Sequence, residues 1–138
     1  MLIGELADRV GVPSQTIRFY ERRGLLPAPA RAANGYRSYD ASAAARVRFI
    51  RAGQSAGLSL VQIHSILDLR DHGQAPCAHV AQLIEERAAD VRRRIAELTA
   101  LQHELDQLRE RSRRLDPGDC SDADICHILS VAGSPAPA

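Results

Sequence analysis

From about Ala78 to Leu115 the chain contains neither glycine nor proline, and apolar residues return every seven positions through Ile84, Val91, Leu98 and Leu105. Ala81, Ala88 and Ile95 fill the complementary row, the pattern of one helix carrying an apolar seam. A helix of roughly 35 residues is about 50 Å long at 1.5 Å per residue, too long for the preceding head to cover. Its seam needs a partner helix, and the chain has no second long one. The economical solution pairs it, parallel or antiparallel, with the same helix of another copy in a two-fold dimer. The alternative is a lone helix folded back on its own head.

The chain has 138 residues, enough for one core with one extension. Before the long helix, Ile3, Leu6, Ala7 and Val10 fall at helical spacing and Gly11 ends that segment. Ser14 is placed to cap a second helix in which Ile17 and Tyr20 are inward candidates, while Gln15, Thr16, Arg18 and Arg22 face outward. Two short helices across a tight turn form a helix-turn-helix. After Gly24, two prolines, an Asn34-Gly35 pair suited to a type I′ turn, and Tyr36, Ser38 and Tyr39 predict a small hairpin, or wing. Asp40 caps a third helix through about Ala52 with Ala44, Val47, Phe49 and Ile50 as its apolar stripe. Ser59 caps a fourth with Leu60, Ile63, Ile66 and Leu67 facing the core. Asp116-Pro117-Gly118 stops the long helix, a loop and about two helical turns from Asp124 follow, and the tail GSPAPA is expected to be disordered. The elements predict a mainly α chain with a head over 1–70, a linker and dimerisation helix over 71–115, a loop and short C-terminal helix over 116–131, and a tail over 132–138.

Charge is unevenly divided along this plan. Residues 1–51 carry nine arginines against four acids, a net +5, and the remainder carries nine arginines against thirteen acids, a net −4. The basic part suits phosphate and the acidic part does not. All 18 cations are arginine; genome composition accounts for that readily, although arginine also suits bidentate contact with phosphate and guanine. All five aromatics, Phe19, Tyr20, Tyr36, Tyr39 and Phe49, lie in the basic part. No apolar run approaches the roughly 18 residues of a membrane span, and Glu5 stands where a signal peptide would be basic. A soluble, cytoplasmic protein is expected.

In this order the motifs Ile3-Gly4-Glu5-Leu6-Ala7, Thr16-Ile17-Arg18-Phe19-Tyr20-Glu21 with Gly24-Leu25-Leu26, Gly35-Tyr36-Arg37-Ser38-Tyr39 and Arg48-Phe49-Ile50 closely resemble the MerR family of bacterial transcription regulators. The resemblance runs from residue 1 to about 128, with departures in the proline-containing end of the dimer helix and the spacing of the C-terminal loop. It implies a winged helix-turn-helix DNA-binding head, a long antiparallel coiled-coil dimerisation helix and a short metal-binding loop and helix. Residues of the outer face of a groove-reading helix, Gln15, Thr16, Arg18, Tyr20 and Arg22, and of the wing, Arg31, Tyr36, Arg37 and Tyr39, are the candidate DNA contacts. Phe19 is expected in the core. Similar proteins occupy an overlong promoter spacer and, on binding their effector, bend and untwist it so that RNA polymerase can engage.

Three cysteines remain. Cys77 lies just before the long helix, and Cys120 and Cys126 just after it, so one chain cannot bring them together. In an antiparallel dimer Cys77 meets Cys120 and Cys126 of the partner subunit. Three thiolates suit soft ions over magnesium or calcium, with His127, Asp119, Asp122 or Asp124 as candidate fourth ligands. Within the family, a cysteine at the start of the dimer helix marks sensors of divalent ions, where copper, silver and gold sensors carry serine. The further adjacent cysteine of zinc sensors is missing, so cadmium, lead or mercury fit at least as well as zinc. The close cysteine cluster of the iron-sulfur branch and the large pocket domain of the multidrug-sensing branch are missing as well. His64 reads as a structural residue on an apolar face, His103 as a surface residue, and His72 and His79 as neighbours of Cys77 that could orient a ligand. The rival readings are a thiol redox-sensing regulator of the same fold, in which Cys120 and Cys126 form a reversible disulfide, and a metal-binding protein without DNA. Catalysis is not expected, since no base and nucleophile pair is placed together.

Overall fold

Capping residues and glycines set the helix boundaries in the computed structural model, which describes residues 1–120 and 125–130. Helix α1 spans Ile3–Val10, with the Leu2 N–H donating to Glu5 at 3.3 Å. Helix α2 spans Ser14–Arg22. Ser14 was expected to cap it but is its first helical residue. Pro13 holds the cap position, and its carbonyl accepts from the Thr16 N–H at 3.0 Å. The α2 end is closed by Gly24, whose φ of 73° lets the Gly24 and Leu25 N–H groups return to the Glu21 and Tyr20 carbonyls at 3.1 and 2.9 Å. Any side chain there would be strained.

The wing pairs β1 (Ala30–Arg31) with β2 (Arg37–Ser38) antiparallel, Ala30 opposite Ser38 and Arg31 opposite Arg37. Its turn is not the expected type I′, which needs positive φ at Asn34 as well as Gly35. Among the described residues only glycines have positive φ, Gly35 at 82°. The Gly35 N–H donates to Ala32 at 2.9 Å and the Ala32 N–H to Tyr36 at 2.7 Å, a three-residue loop closed by one left-handed glycine. The Asn34 side chain instead accepts from the Tyr36 N–H at 3.1 Å.

Helix α3 spans Ala41–Ser55, one turn beyond the expected end near Ala52; Asp40 caps it by accepting from the Ser42 and Ala43 N–H groups at 3.0 and 3.2 Å. Helix α4 spans Leu60–Asp71, opened by a reciprocal pair of bonds between Ser59 and Gln62. Helix α5 spans Cys77–Arg114 as one uninterrupted element. Asp116 caps a following 3₁₀ turn, Pro117–Asp119.

The chain divides into two compact units, Met1–Ala89 and Asp90–Ala138. In the first, Leu6, Ile17, Tyr20, Leu25, Val47, Ile50, Ile63 and Ile66 are fully buried. Leu83 of α5 joins this core and Val80 packs on it, so residues 77–89 of α5 are part of the head. Phe49 was expected on the α3 stripe but is exposed: the buried row is Ala44, Val47 and Ile50, and Phe49 lies a hundred degrees of helix off Ile50. Phe19, expected in the core, is half-buried against it, with the Arg23 guanidinium 5.9 Å from its ring centre.

In the second unit Val91, Ile95, Leu98, Leu101 and Leu105 are all exposed in the single chain, Leu98 by 61%. The described residues 125–130 make one turn, closed by the Ser130 N–H on the Cys126 carbonyl at 3.0 Å, where a short helix was expected. Asp124, its expected first residue, and the tail 132–138 lie outside the described residues. Among the described residues, no helix is long and apolar enough to cross a membrane.

Candidate functional site

The second helix of the head presents an arginine-rich outer face because its apolar positions are spent inward. Ile17 and Tyr20, three residues apart, share the buried face, which leaves Gln15, Arg18, Arg22 and Arg23 exposed and Thr16 half-buried. Tyr20 was expected among the DNA contacts and was also an inward candidate beside Ile17. It is only 2% exposed, and its hydroxyl donates to Gln54 of α3 at 2.8 Å, so it serves the core. Its three-residue spacing from Ile17 is the sequence signal for that placement.

Tyr39 of the wing is likewise a core residue, 4% exposed, with its hydroxyl donating to Glu21. Burial, then the hydrogen bond to the Glu21 carboxylate, raises the phenol above its ordinary range near 10. Both tyrosines are therefore corrections to the expected DNA-facing set. The rest of the wing is outward: Tyr36 is 66% exposed, Arg31 is exposed and donates to the Gly35 carbonyl at 2.9 Å, and Arg37 donates to Glu21 at 2.9 Å. Arg18, Arg22 and Arg37 come together with Ile3 and Glu21 around an open cleft of about 490 Å³. Glu21 had no role assigned from sequence. Its signal was the two-residue spacing of Arg37 in β2 and Tyr39 just after it, which extended backbone turns to the same side.

A second contact set roots the head. Arg46 of α3 donates to the Leu25 carbonyl at 2.6 Å and bidentately to Asp71 at the end of α4, at 2.7 and 2.9 Å. The Arg46 hydrogen bond holds the Asp71 carboxyl below its ordinary 3.8.

The three cysteines are free thiols, Cys77 and Cys120 exposed and Cys126 half-buried. Cys77 is the first residue of α5. In the other unit the Cys120 sulfur lies 4.0 Å from the Ile125 carbonyl oxygen, turned toward the backbone just before Cys126. Asp119 is exposed in the 3₁₀ turn, and the His127 carbonyl accepts from Arg111 at 3.1 Å. Asp122 and Asp124 lie outside the described residues. Among the described residues of one chain, no three or more His, Cys, Asp or Glu side chains gather as a metal-holding group.

The histidines near Cys77 are tied to α4. His79 meets the Ser65 hydroxyl at 2.8 Å. His72 bonds the Asp68 carbonyl at 2.7 Å, a contact that raises its pKa. His64, expected on an apolar face, is exposed.

Residues 1–70 match the family model described as MerR HTH family regulatory protein, and residues 44–108 that described as MerR, DNA binding. The chain is 38% identical over 109 residues to a mercuric resistance operon regulatory protein of Bacillus cereus, covering 79% of this chain and 83% of that one. A transcription regulator of Ralstonia metallidurans CH34, solved in complex with lead(II), superposes with a TM-score of 0.75 at 38% identity, over 87% of this chain and 94% of that one. The regulator of Bacillus megaterium MB1 solved with mercury(II) gives 0.63 at 34% identity, over 80% and 86%. The exposed arginines of α2, the wing and the long helix that follows them in the chain are those of a family to which this chain belongs, the MerR helix-turn-helix transcription regulators.

Proposed function

We propose that the chain is a metal-responsive transcription regulator that binds operator DNA as a homodimer through α5 and activates a metal efflux or detoxification promoter. The observation that carries this reading is the union of two features. An arginine-lined α2 and wing stand on a MerR head, and free thiols stand at both ends of the helix that joins two copies. Relatives of this length and identity have been solved with lead(II) and mercury(II). The reading assigns it no catalysis and places it in the cytoplasm with its DNA.

Gln15, Thr16, Arg18 and Arg22 supply the groove and phosphate contacts of α2, and Arg31, Tyr36 and Arg37 those of the wing. Cys77 of one subunit and Cys120 and Cys126 of the partner subunit are the candidate ligands, with His127 and Asp119 beside them. The donor set fits a soft divalent ion, cadmium, lead, mercury or zinc, because three cysteines not locked in disulfides are available as sulfur ligands. Held by those thiols, such an ion would join the two subunits and would favour the conformer that distorts the operator for RNA polymerase. Bending a site of this kind costs a few kcal/mol, which lies within reach of an ordinary allosteric coupling of about 1–3 kcal/mol together with the further protein–phosphate bonds that a bent duplex permits.

The test is a promoter reporter titrated with each metal, beside binding assays on the gene's own upstream DNA. Cys77→Ser is expected to abolish divalent induction and leave operator affinity unchanged. Induction that survives the substitution removes the cross-subunit thiol site. A rapid Cys120–Cys126 disulfide with no metal uptake by the reduced protein would instead favour redox sensing, and only salt-labile, sequence-indifferent DNA binding would remove the operator role.

A further inference from the structure

We propose that Glu21 is a positioning residue that sets the wing against the recognition helix, so that Arg37 meets the same stretch of DNA backbone as Arg18 and Arg22. This rests on the operator-binding reading above. An acidic side chain beside three arginines on a DNA-facing cleft is unfavourable for phosphate on charge alone, so its presence calls for a compensating role. The geometry supplies one. The Glu21 side chain is 11% exposed; one carboxylate oxygen accepts from Arg37 at 2.9 Å and the other from the Tyr39 hydroxyl.

Arg37, the first residue of β2, and Tyr39, the residue just after its end, stand two apart and both bond Glu21. A hairpin with two residues in each strand cannot hold its own orientation. One buried side-chain contact of Tyr39 and one carboxylate therefore fix the wing to α2, while the Tyr39 N–H bond to the Met1 carbonyl at 2.7 Å ties it to the N-terminus. A guanidinium carries five N–H donors in a fixed fork. Arg37 uses one nitrogen on Glu21 and, with its side chain 48% exposed, has other N–H donors left for a phosphate. The same carboxylate offsets the mutual repulsion of Arg18, Arg22 and Arg37 around the cleft.

The experiment uses the full-length protein and a duplex of the gene's own upstream sequence. Affinity, its salt dependence and hydroxyl-radical footprints are measured for the wild type, Glu21→Gln, Arg37→Gln and the double variant, with far-UV circular dichroism confirming the fold. Glu21→Gln keeps the shape and an acceptor for Tyr39 but breaks the ion pair. Simple electrostatics predicts that it binds more tightly.

Positioning predicts the opposite: affinity about tenfold weaker, the loss of one charge-assisted contact, a log–log salt slope shallower by about 1, and protection lost only where the wing lies. In the Arg37→Gln background the substitution no longer weakens binding, because Glu21 acts through Arg37. Equal or tighter binding by Glu21→Gln, or weaker binding with an unchanged slope and footprint, overturns this inference alone. Absence of any specific wild-type footprint overturns the operator-binding reading and this inference with it.

Discussion

Substituting Gly53 with alanine sets two effects of opposite sign against each other, and the structure decides between them. Gly53 lies inside α3, where alanine is favoured over glycine by about 1 kcal/mol through helix propensity. The added Cβ, however, would stand 2.9 Å from both Cγ1 and Cδ1 of Ile63, against about 3.5–4.0 Å for carbons at optimal separation. Ile63 is fully buried, so neither atom can swing aside without displacing its neighbours in α4. Overpacking of this kind costs about 1–3 kcal/mol, which leaves a net destabilisation of about 1 kcal/mol.

With a urea m-value of about 2 kcal/mol/M the midpoint should fall by roughly 0.5 M. Far-UV circular dichroism at fixed protein concentration reads it, since a dimer's midpoint moves with concentration. Ile63→Ala alone should cost about 2–5 kcal/mol. Gly53→Ala added to it should restore stability, because the new methyl then occupies vacated space. A midpoint that rises in the single Gly53→Ala variant, the sign propensity alone gives, would falsify the close approach of α3 and α4.

The clasp between Arg46 and Asp71 gives a pH prediction. Because the Asp71 carboxyl is held below its ordinary 3.8, its contribution is present above about that pH and fades as pH falls through the lower folded value. Asp71→Asn should therefore be less stable than wild type at pH 7, and urea midpoints measured from pH 7 to 3 should begin to draw together below the ordinary 3.8; curves parallel throughout would discount the clasp. For the dimer seam, Leu98→Glu removes a leucine worth about 1.5–3 kcal/mol when buried from both copies and places like charges together. Light scattering should show a monomer, and an intact dimer would remove Leu98 from the seam.

The helices and their ends were largely legible, because the signals are local. Asp40 and Ser59 cap as their spacing required, Gly11 ends α1, and the stretch without glycine or proline is one helix. The errors arose where a residue type admits two environments. Tyr20 and Tyr39 each carry an apolar ring and a polar tip, and assigning them to DNA favoured the tip, whereas burial with Gln54 or Glu21 as partner satisfies both parts. The turn at Asn34-Gly35 depends on backbone dihedrals that a dipeptide alone does not fix, and the Asx bond to Tyr36 selected the longer loop. The clustering of Arg18, Arg22 and Arg37 about Glu21 is tertiary, since the wing is brought to α2 by contacts sixteen and eighteen residues apart in sequence.

The extent of the head bears on how events at Cys77 reach α2. The first residues of α5 are fastened to the head. Leu83 is buried in the head core, His79 bonds Ser65 of α4, and the Arg87 side chain lies over Gly57 at the end of α3 so closely that a Cβ there would meet its Nε at 2.5 Å. From α4 the contacts continue without a gap. Ile63 seats against Gly53 of α3, Arg46 of α3 binds both Asp71 and the Leu25 carbonyl, and the Leu25 N–H binds the Tyr20 carbonyl of α2. Each link is a packed or hydrogen-bonded contact within one compact unit, and close-packed interiors transmit displacement instead of absorbing it. A ligand can shift such an equilibrium only by its differential affinity for the two states. On the proposed metal-responsive reading, a soft ion shared by Cys77 and thiols of the partner subunit would act on the head as one packed body, recognition helix and wing included.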